Sequence, residues 1–280
     1  MLPGNKISAD TLIFADWIIP VVPRNTVMTN AAIAIEGSRI VALMSAEEAI
    51  TAIDAKKTIT LKNQVLIPGL VNTHGHIAMS LLRGIADDIP LKQWLEERIW
   101  PLESKYVSAP FVNDGSTLAI AEMIRSGTTC FADMYFFPEE VAKVATAVGI
   151  RTQLACPILD FPTPWAQNPE EYISKTTELH DRYRHSELVH TAFGPHAPYS
   201  VADGPLETIR TLADELDIPI HMHVHETAQE VHDAVKTSGK RPLTRLAELN
   251  LISPRLVCVH TTSLIEEEMT MLAELGAHVV

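Results

Sequence analysis

Two imidazoles one residue apart, His74 and His76, close an apolar run from Val65 to Val71 that Pro68 and Gly69 interrupt. In an extended strand, residues i and i+2 face the same side about 6–7 Å apart. Such a pair suits a single metal ion with Zn–N bonds of about 2 Å. Gly75 between them leaves room for backbone or a ligand to approach from the other side. On spacing alone, metal binding and a hydrogen-bonded polar pair have equal claim. A second histidine-rich run, His221-Met222-His223-Val224-His225-Glu226-Thr227, places three imidazoles on one strand face by alternation. The pattern does not choose among the three. Glu226, at the strand's end, is open to service as a ligand, as a general acid/base beside an activated water, or as a cap for the next helix.

Other strand ends carry polar groups too. One closes on Asp133 and Tyr135, one leads into Gly194-Pro195-His196-Ala197-Pro198-Tyr199, and one finishes at His260. A lone strand-end histidine is most often structural. Several parallel strands delivering histidine to one rim is the convergence a metal site requires.

The elements that would position these groups change character along the chain. In residues 1–67, short strands are expected at Leu12–Ile19, Ala31–Ile35, Arg39–Leu43 and Thr58–Leu61, with a hairpin at Glu36-Gly37-Ser38 and a polar loop or helical turn at Thr51–Lys57. This unit is too small to bury much alone. From residue 68 onward, strands are expected at Leu70–His76, Thr129–Tyr135, Thr152–Ile158, Val189–Phe193, Ile218–His225, Leu256–His260 and Ala277–Val280. Helices alternate with them at Leu91–Ile99, Asp114–Ser126, Glu139–Val148, Pro169–Arg184, Pro205–Leu216, Ala228–Thr237, Pro242–Leu249 and Ile265–Leu275. Alternation of this kind means βαβ units and a parallel sheet, and the strands are apolar runs, as when both faces are covered.

A closed eight-stranded barrel typically takes roughly 250 residues. The expected α/β architecture is therefore a TIM-like (β/α)8 barrel that is incomplete, with strand 8 missing, over residues 68–280, beside a small N-terminal β-sandwich domain over residues 1–67. A doubly wound sheet competes, but no Gly-rich phosphate loop follows the first strand.

Composition narrows the function. Of 280 residues, 46% are hydrophobic and 20% charged, ordinary for a chain with a large core. A net charge of −13 makes a nucleic-acid backbone a poor partner. No basic region with a long apolar stretch opens the chain, and no apolar run approaches about 18 residues, so no membrane partner is expected and cytoplasmic location is the default. Cys130, Cys156 and Cys258 are odd in number and widely spaced, which suits core residues of a reducing compartment.

Together, PGLVNTHGHIAMSLLRG from Pro68, WPLE at Trp100–Glu103, FGPHAPYS from Phe193 and HMHVHET from His221 resemble the amidohydrolase superfamily. They most resemble its branch that deaminates 5'-methylthioadenosine and S-adenosylhomocysteine, to which triazine hydrolases and guanine or cytosine deaminases also belong. The resemblance implies His74, His76 and His223 as metal ligands, Glu226 as general acid/base, and His260 as the residue contacting the activated water. It further implies His196 and Glu103 as substrate-binding residues, Glu103 through ribose hydroxyls, with Glu226 also touching substrate. A solvated helix-end charge is the plainer alternative for Glu103; Trp94 is either a residue lining the substrate pocket or, with at least equal claim, a core residue on an amphipathic helix.

The implied cofactor is one divalent ion, Zn²⁺ first, with Fe²⁺ or Mn²⁺ compatible. The implied reaction is hydrolytic deamination at C6 of an adenine nucleoside, a small-molecule purine substrate, with homo-oligomer formation left open. The fourth ligand of the pattern, an Asp on the eighth strand, falls beyond Val280, so residues 1–280 alone are expected to be poorly stable and little active. The segment Leu154–Asp160 lacks the arginine that suits an amino-acid carboxylate, which leans toward methylthioadenosine or adenosine. A sister aminohydrolase and a non-catalytic scaffold member are the competing readings.

Overall fold

A computed structural model describes residues 6–280, which divide into two compact units between Gly69 and Leu70. In the first unit, β1 (Ile7–Ile18), β2 (Met28–Glu36), β3 (Arg39–Ser45) and β4 (Ile53–Leu66) form one four-stranded sheet in the order β3-β2-β1-β4. The β1–β2 and β2–β3 pairs are antiparallel, and β1–β4 is parallel. The turn between β2 and β3 needs Gly37 at φ 57°, and Asp10 Oδ2 accepts its N–H at 2.7 Å.

The second layer in this unit is helix rather than a second sheet, among the described residues. Ser45 and Glu48 form a reciprocal capping box that starts a helix over Ala46–Ala52, and Ala49 packs with Ala9, Leu12, Ala32, Ala34 and Ile53. Of the span Thr51–Lys57, expected as a polar loop or helical turn, Thr51 and Ala52 end that helix and the rest is strand. β4 begins at Ile53 because its lysines and threonines alternate with Ala55, Ile59 and Leu61 on a sheet with one solvated face.

The second unit holds seven parallel strands: β5 (Leu70–Asn72), β6 (Thr128–Asp133), β7 (Arg151–Ile158), β8 (Val189–Pro195), β9 (Ile220–Val224), β10 (Leu256–His260) and β11 (His278–Val279). They pair strictly in chain order, β5 through β11. A doubly wound sheet must reverse its order at a switch point; an unbroken order curls into a barrel wall. Phe131, Leu154, Phe193, Met222 and Cys258 lie in the main apolar core, which explains the near-continuous apolar strands. All three cysteines are free, two of them buried. Among the described residues no helix is long and apolar enough to cross a membrane.

Two departures bear on the site. β5 stops at Asn72, so His74-Gly75-His76 lies in an irregular segment before a 3-10 helix over Ile77–Leu82, outside the strand in which alternation was to align the pair. The helix expected to stop at Ile99 continues to Tyr106 through a π-helical turn over Leu95–Ile99. Pro101 has no N–H to donate, and its ring crowds the carbonyl four residues back, so the helix widens there, with the Trp100 N–H reaching Leu95 O. Glycine permits two close approaches. A Cβ on Gly115 would stand 2.5 Å from Ala78 O, so the helix over Ala109–Arg125 seats the 3-10 segment only with glycine there. A Cβ on Gly194 would meet Cys156 O at 2.7 Å.

Candidate metal centre

Three imidazoles converge from two places. His223 stands on β9, fully inside the sheet, and its Nε2 lies 3.2 Å from His74 Nε2 and 3.3 Å from His76 Nε2. Nitrogen ligands on a tetrahedral zinc, with bonds of about 2.0–2.1 Å, stand about 3.3–3.4 Å apart. The nitrogens also have the right protonation. His76 Nδ1 meets Met134 O at 2.6 Å and His223 Nδ1 meets His196 O at 2.9 Å; a carbonyl only accepts, so both Nδ1 atoms carry the proton and both Nε2 atoms are bare. Facing lone pairs with no proton between them repel, and a cation relieves that repulsion. Nitrogens of His74, His223 and His260 also lie within 4.8 Å of one another. The donor set fits one divalent ion.

Neighbouring strands hold the irregular segment that carries His74 and His76. Asp133, the last residue of β6, accepts the Ile77 N–H at 2.7 Å, and Met134 N–H donates to Gly75 O at 2.9 Å. Gly75 itself is not demanded by space: a Cβ there would meet Ile77 Cγ2 at 3.4 Å, Asn72 Nδ2 at 3.5 Å and Ala132 O at 3.7 Å, ordinary contacts.

Position along β9 sorts the three histidines that the sequence left equivalent. His221, buried one layer below His223, brings Nε2 to 2.9 Å from His74 Nδ1. His225 lies beyond the end of the strand with φ 53° and turns away; its Nε2 accepts the Leu243 N–H and its Nδ1 faces Glu268. The helix that follows is capped by Thr227, whose hydroxyl accepts the Glu230 N–H at 3.2 Å. Glu230 in turn accepts the N–H groups of His225 and Glu226. Capping is therefore done without Glu226, whose Oε1 instead lies 3.5 Å from His260 Nε2. His260 ends β10 at φ 77°, held by its N–H to Val280 O at 2.8 Å.

Burial shapes the electrostatics. It pushes the His74 imidazole down to about 3, with His76, His221 and His260 adding to the effect, and His196 and His221 down to about 4. Burial also lowers His76, His223 and His260. Each is neutral at pH 7, the form that ligates. Burial raises the Glu226 carboxyl and takes Asp133 up to about 7; Asp133 Oδ2 is buried without a partner among the described residues.

A cavity of about 630 Å³ opens from this cluster, lined by His76, Trp94, Trp100, Glu103, Tyr135 and His196 among others. Trp94 is thus a wall residue, not a core one. Glu103 is buried, accepts the Tyr135 hydroxyl at 2.8 Å, and is raised by burial to about 7, so it is no solvated helix-end charge. His196 Nδ1 is 3.1 Å from Ser200 Oγ. No Lys or Arg lines the cavity among the described residues. Sequence reasoning gave His221 no distinct place and Asp133 no role; strand-end position was the only available signal for Asp133.

A family model described as "Amidohydrolase family" matches residues 65–280. A protein of Saccharophagus degradans named 5-methylthioadenosine/S-adenosylhomocysteine deaminase is 49% identical over 99% of this chain and 62% of its own length. One of the same name from Thermodesulfovibrio yellowstonii is 38% identical over 94% of this chain and 60% of its own. The chain thus spans about three fifths of the curated relatives it matches. Among solved structures, an adenosine deaminase of Xanthomonas campestris with bound zinc superposes with a TM-score of 0.96 at 45% identity, covering 98% of this chain and 63% of that one. An atrazine chlorohydrolase of Arthrobacter aurescens, at 20% identity and a TM-score of 0.88 over 96% of this chain and 64% of its own, shares the fold.

Proposed function

Because the chain belongs to the amidohydrolase family, we propose that it carries the metal-binding and substrate-binding core of a hydrolytic deaminase of adenine nucleosides, with 5'-methylthioadenosine the favoured substrate. One observation carries the reading: the Nε2 atoms of His74 and His76 stand at ligand spacing from that of His223, beside the Glu226–His260 pair. The names of the relatives and the zinc in the Xanthomonas structure support it.

His74, His76 and His223 hold the ion, and three neutral imidazoles favour Zn²⁺. A divalent ion supplies a water that ionises near neutral pH. His260 orients that water toward C6 of the purine. Glu226, its carboxyl raised by burial, keeps a proton at neutral pH more readily than a solvated carboxylate does. It donates that proton to the ring nitrogen beside C6, making the carbon a better electrophile and stabilising the tetrahedral adduct. Of the two protons the water brings, one goes to the amino group, which leaves as ammonia when the C6–N bond breaks, and the other restores Glu226. His196 contacts the purine. Glu103 accepts the ribose hydroxyls, with one of its oxygens steadied by Tyr135. A cavity without a cationic side chain suits an uncharged 5' substituent better than an amino-acid carboxylate. Cytoplasmic location is part of the same proposal.

Ammonia release by the full-length protein, assayed on methylthioadenosine, S-adenosylhomocysteine, adenosine, guanine and cytosine, with chloride release from atrazine, tests this. Methylthioadenosine is expected to give the highest kcat/KM. Turnover of guanine, cytosine or atrazine with none of the nucleosides points to a sister hydrolase. No turnover by metal-loaded protein leaves a scaffold.

A further inference from the structure

Each candidate ligand has its remote nitrogen tied down, but not by the same kind of group. His76 and His223 use backbone carbonyls, which any sequence would offer. His74 uses a side chain, His221. The two rings lie within 15° of parallel with centroids 5.2 Å apart, yet their nitrogens are 2.9 Å apart. Parallel planes that allow so short a contact are too close in height for face-to-face stacking. The rings therefore meet edge to edge in nearly one plane, the arrangement a linear N–H···N bond requires.

Buried in β9, His221 is 1% exposed, and its Nδ1 has no partner among the described residues. An orphaned buried N–H costs free energy. A histidine kept only to fill the barrel interior would be replaced at no loss of hydrogen bonding by an apolar side chain. Among the described residues, the contact with His74 is the one polar contact this side chain makes.

We infer that His221 is a positioning residue for the metal centre: its bare Nε2 accepts the His74 Nδ1 proton, which locks His74 in the tautomer and ring orientation that turn its Nε2 to the ion. The inference rests on the proposed His74–His76–His223 site and adds to it a residue that touches no metal. Outer partners of this kind typically set metal affinity by about 10- to 100-fold. Because His221 and His223 belong to one strand, the pair also ties the β5 loop to β9 through side chains, so that the strand supplying one ligand orients another.

The test is zinc affinity of the full-length protein, measured by competition with a chromophoric chelator, for wild type, His221→Leu and His221→Gln. The Leu variant removes the acceptor; the Gln amide oxygen restores one near the position of Nε2. Zinc binding is expected to weaken about 10- to 100-fold in the Leu variant and to recover to within about threefold of wild type in the Gln variant. Metal-free melting temperature serves as the control for packing and is expected not to fall in the Leu variant. Unchanged zinc affinity in His221→Leu, or equal loss in both variants, overturns the inference. Should the Leu variant fail to fold, long-range ¹H–¹⁵N spectra of the zinc-loaded wild type decide: a protonated His74 Nδ1 facing a bare His221 Nε2 supports it, and the reverse tautomers overturn it. A wild-type protein that takes up no zinc refutes the metal site and this inference together; zinc uptake indifferent to the Leu change refutes the inference alone.

Discussion

In the loop after β5, His74 and His76 both bring Nε2 to within 3.3 Å of the same atom of His223, with ring centroids 4.8 Å apart and planes at 89°. In β9, His221 and His223 have the same one-residue spacing but stand in successive layers, one facing the ligand cluster and the other behind it. A regular strand keeps i and i+2 about 6–7 Å apart along its axis, so β9 yields one ligand and one support. The loop has left the strand at Asn72, and its backbone is free to fold two rings toward one point. That freedom has to be cancelled by outside contacts. Asp133 Oδ1 on Ile77 N–H, Met134 N–H on Gly75 O and Met134 O on His76 Nδ1 all come from the end of β6. Spacing is therefore the same signal with two meanings, and the backbone around it selects between them.

The largest expected effect removes a ligand from either side of the comparison. His223→Ala and His76→Ala should each abolish stoichiometric zinc and lower turnover by about 10³-fold or more; metal analysis after dialysis checks this, and full zinc retention in one of them would break the equivalence of loop and strand. Next comes Glu226→Gln, on the strand side but outside the cluster. It should keep zinc while cutting kcat by about 10²–10⁴-fold, the usual weight of a general acid/base.

Smaller effects probe how the loop is held. Gly115→Ala drives a Cβ into the Ala78 backbone and should cost about 1–3 kcal/mol in denaturant unfolding, with weaker zinc binding because Ala78 follows His76 closely. Gly75→Ala, between the two ligands themselves, should stay within about 0.5 kcal/mol. If their order reversed, the support of the loop would lie in the glycine and not in its neighbours.

Away from both regions, Glu103 offers a pH signature. Burial raises its carboxyl from 4.5 to about 7, while the Tyr135 hydroxyl pulls the other way. A folded value above the unfolded one means that stabilisation is complete below pH 4.5 and is lost as pH rises through about 7. The melting-temperature advantage of Glu103→Gln over wild type should therefore be larger near pH 8 than near pH 5. A constant difference would mean that Glu103 is not desolvated in solution.

Much of this molecule was readable from residue types. Every barrel strand from β6 to β10 lies within about two residues of its apolar run, because a strand covered on both faces must be apolar throughout. Boundaries were lost where a local device overrode the pattern. The Ser45–Glu48 capping box started a helix where the pattern gives no helix of that extent, β4 began at Ile53 inside the expected loop or turn, and Pro101 widened a helix in place of ending it. The candidate site was legible as a set of residues and illegible as an arrangement. His196, His223, His260 and Glu103 were found by type and motif, whereas Glu226 was freed from a capping role only by Glu230 and Thr227, four and one residues on.

By itself the sequence determined the parallel α/β architecture and the histidines that gather at one rim, since these follow from periodicity and spacing along the chain. Tertiary structure alone decided which of His221, His223 and His225 faces the cluster and which nitrogen of His223 and His225 is bare. It also decided that Gly115, and not Gly75, is the glycine the site depends on. Those outcomes depend on partners distant in the chain, His221 for His74 at 147 residues and Gly115 for Ala78 at 37, and no local pattern encodes where such partners meet.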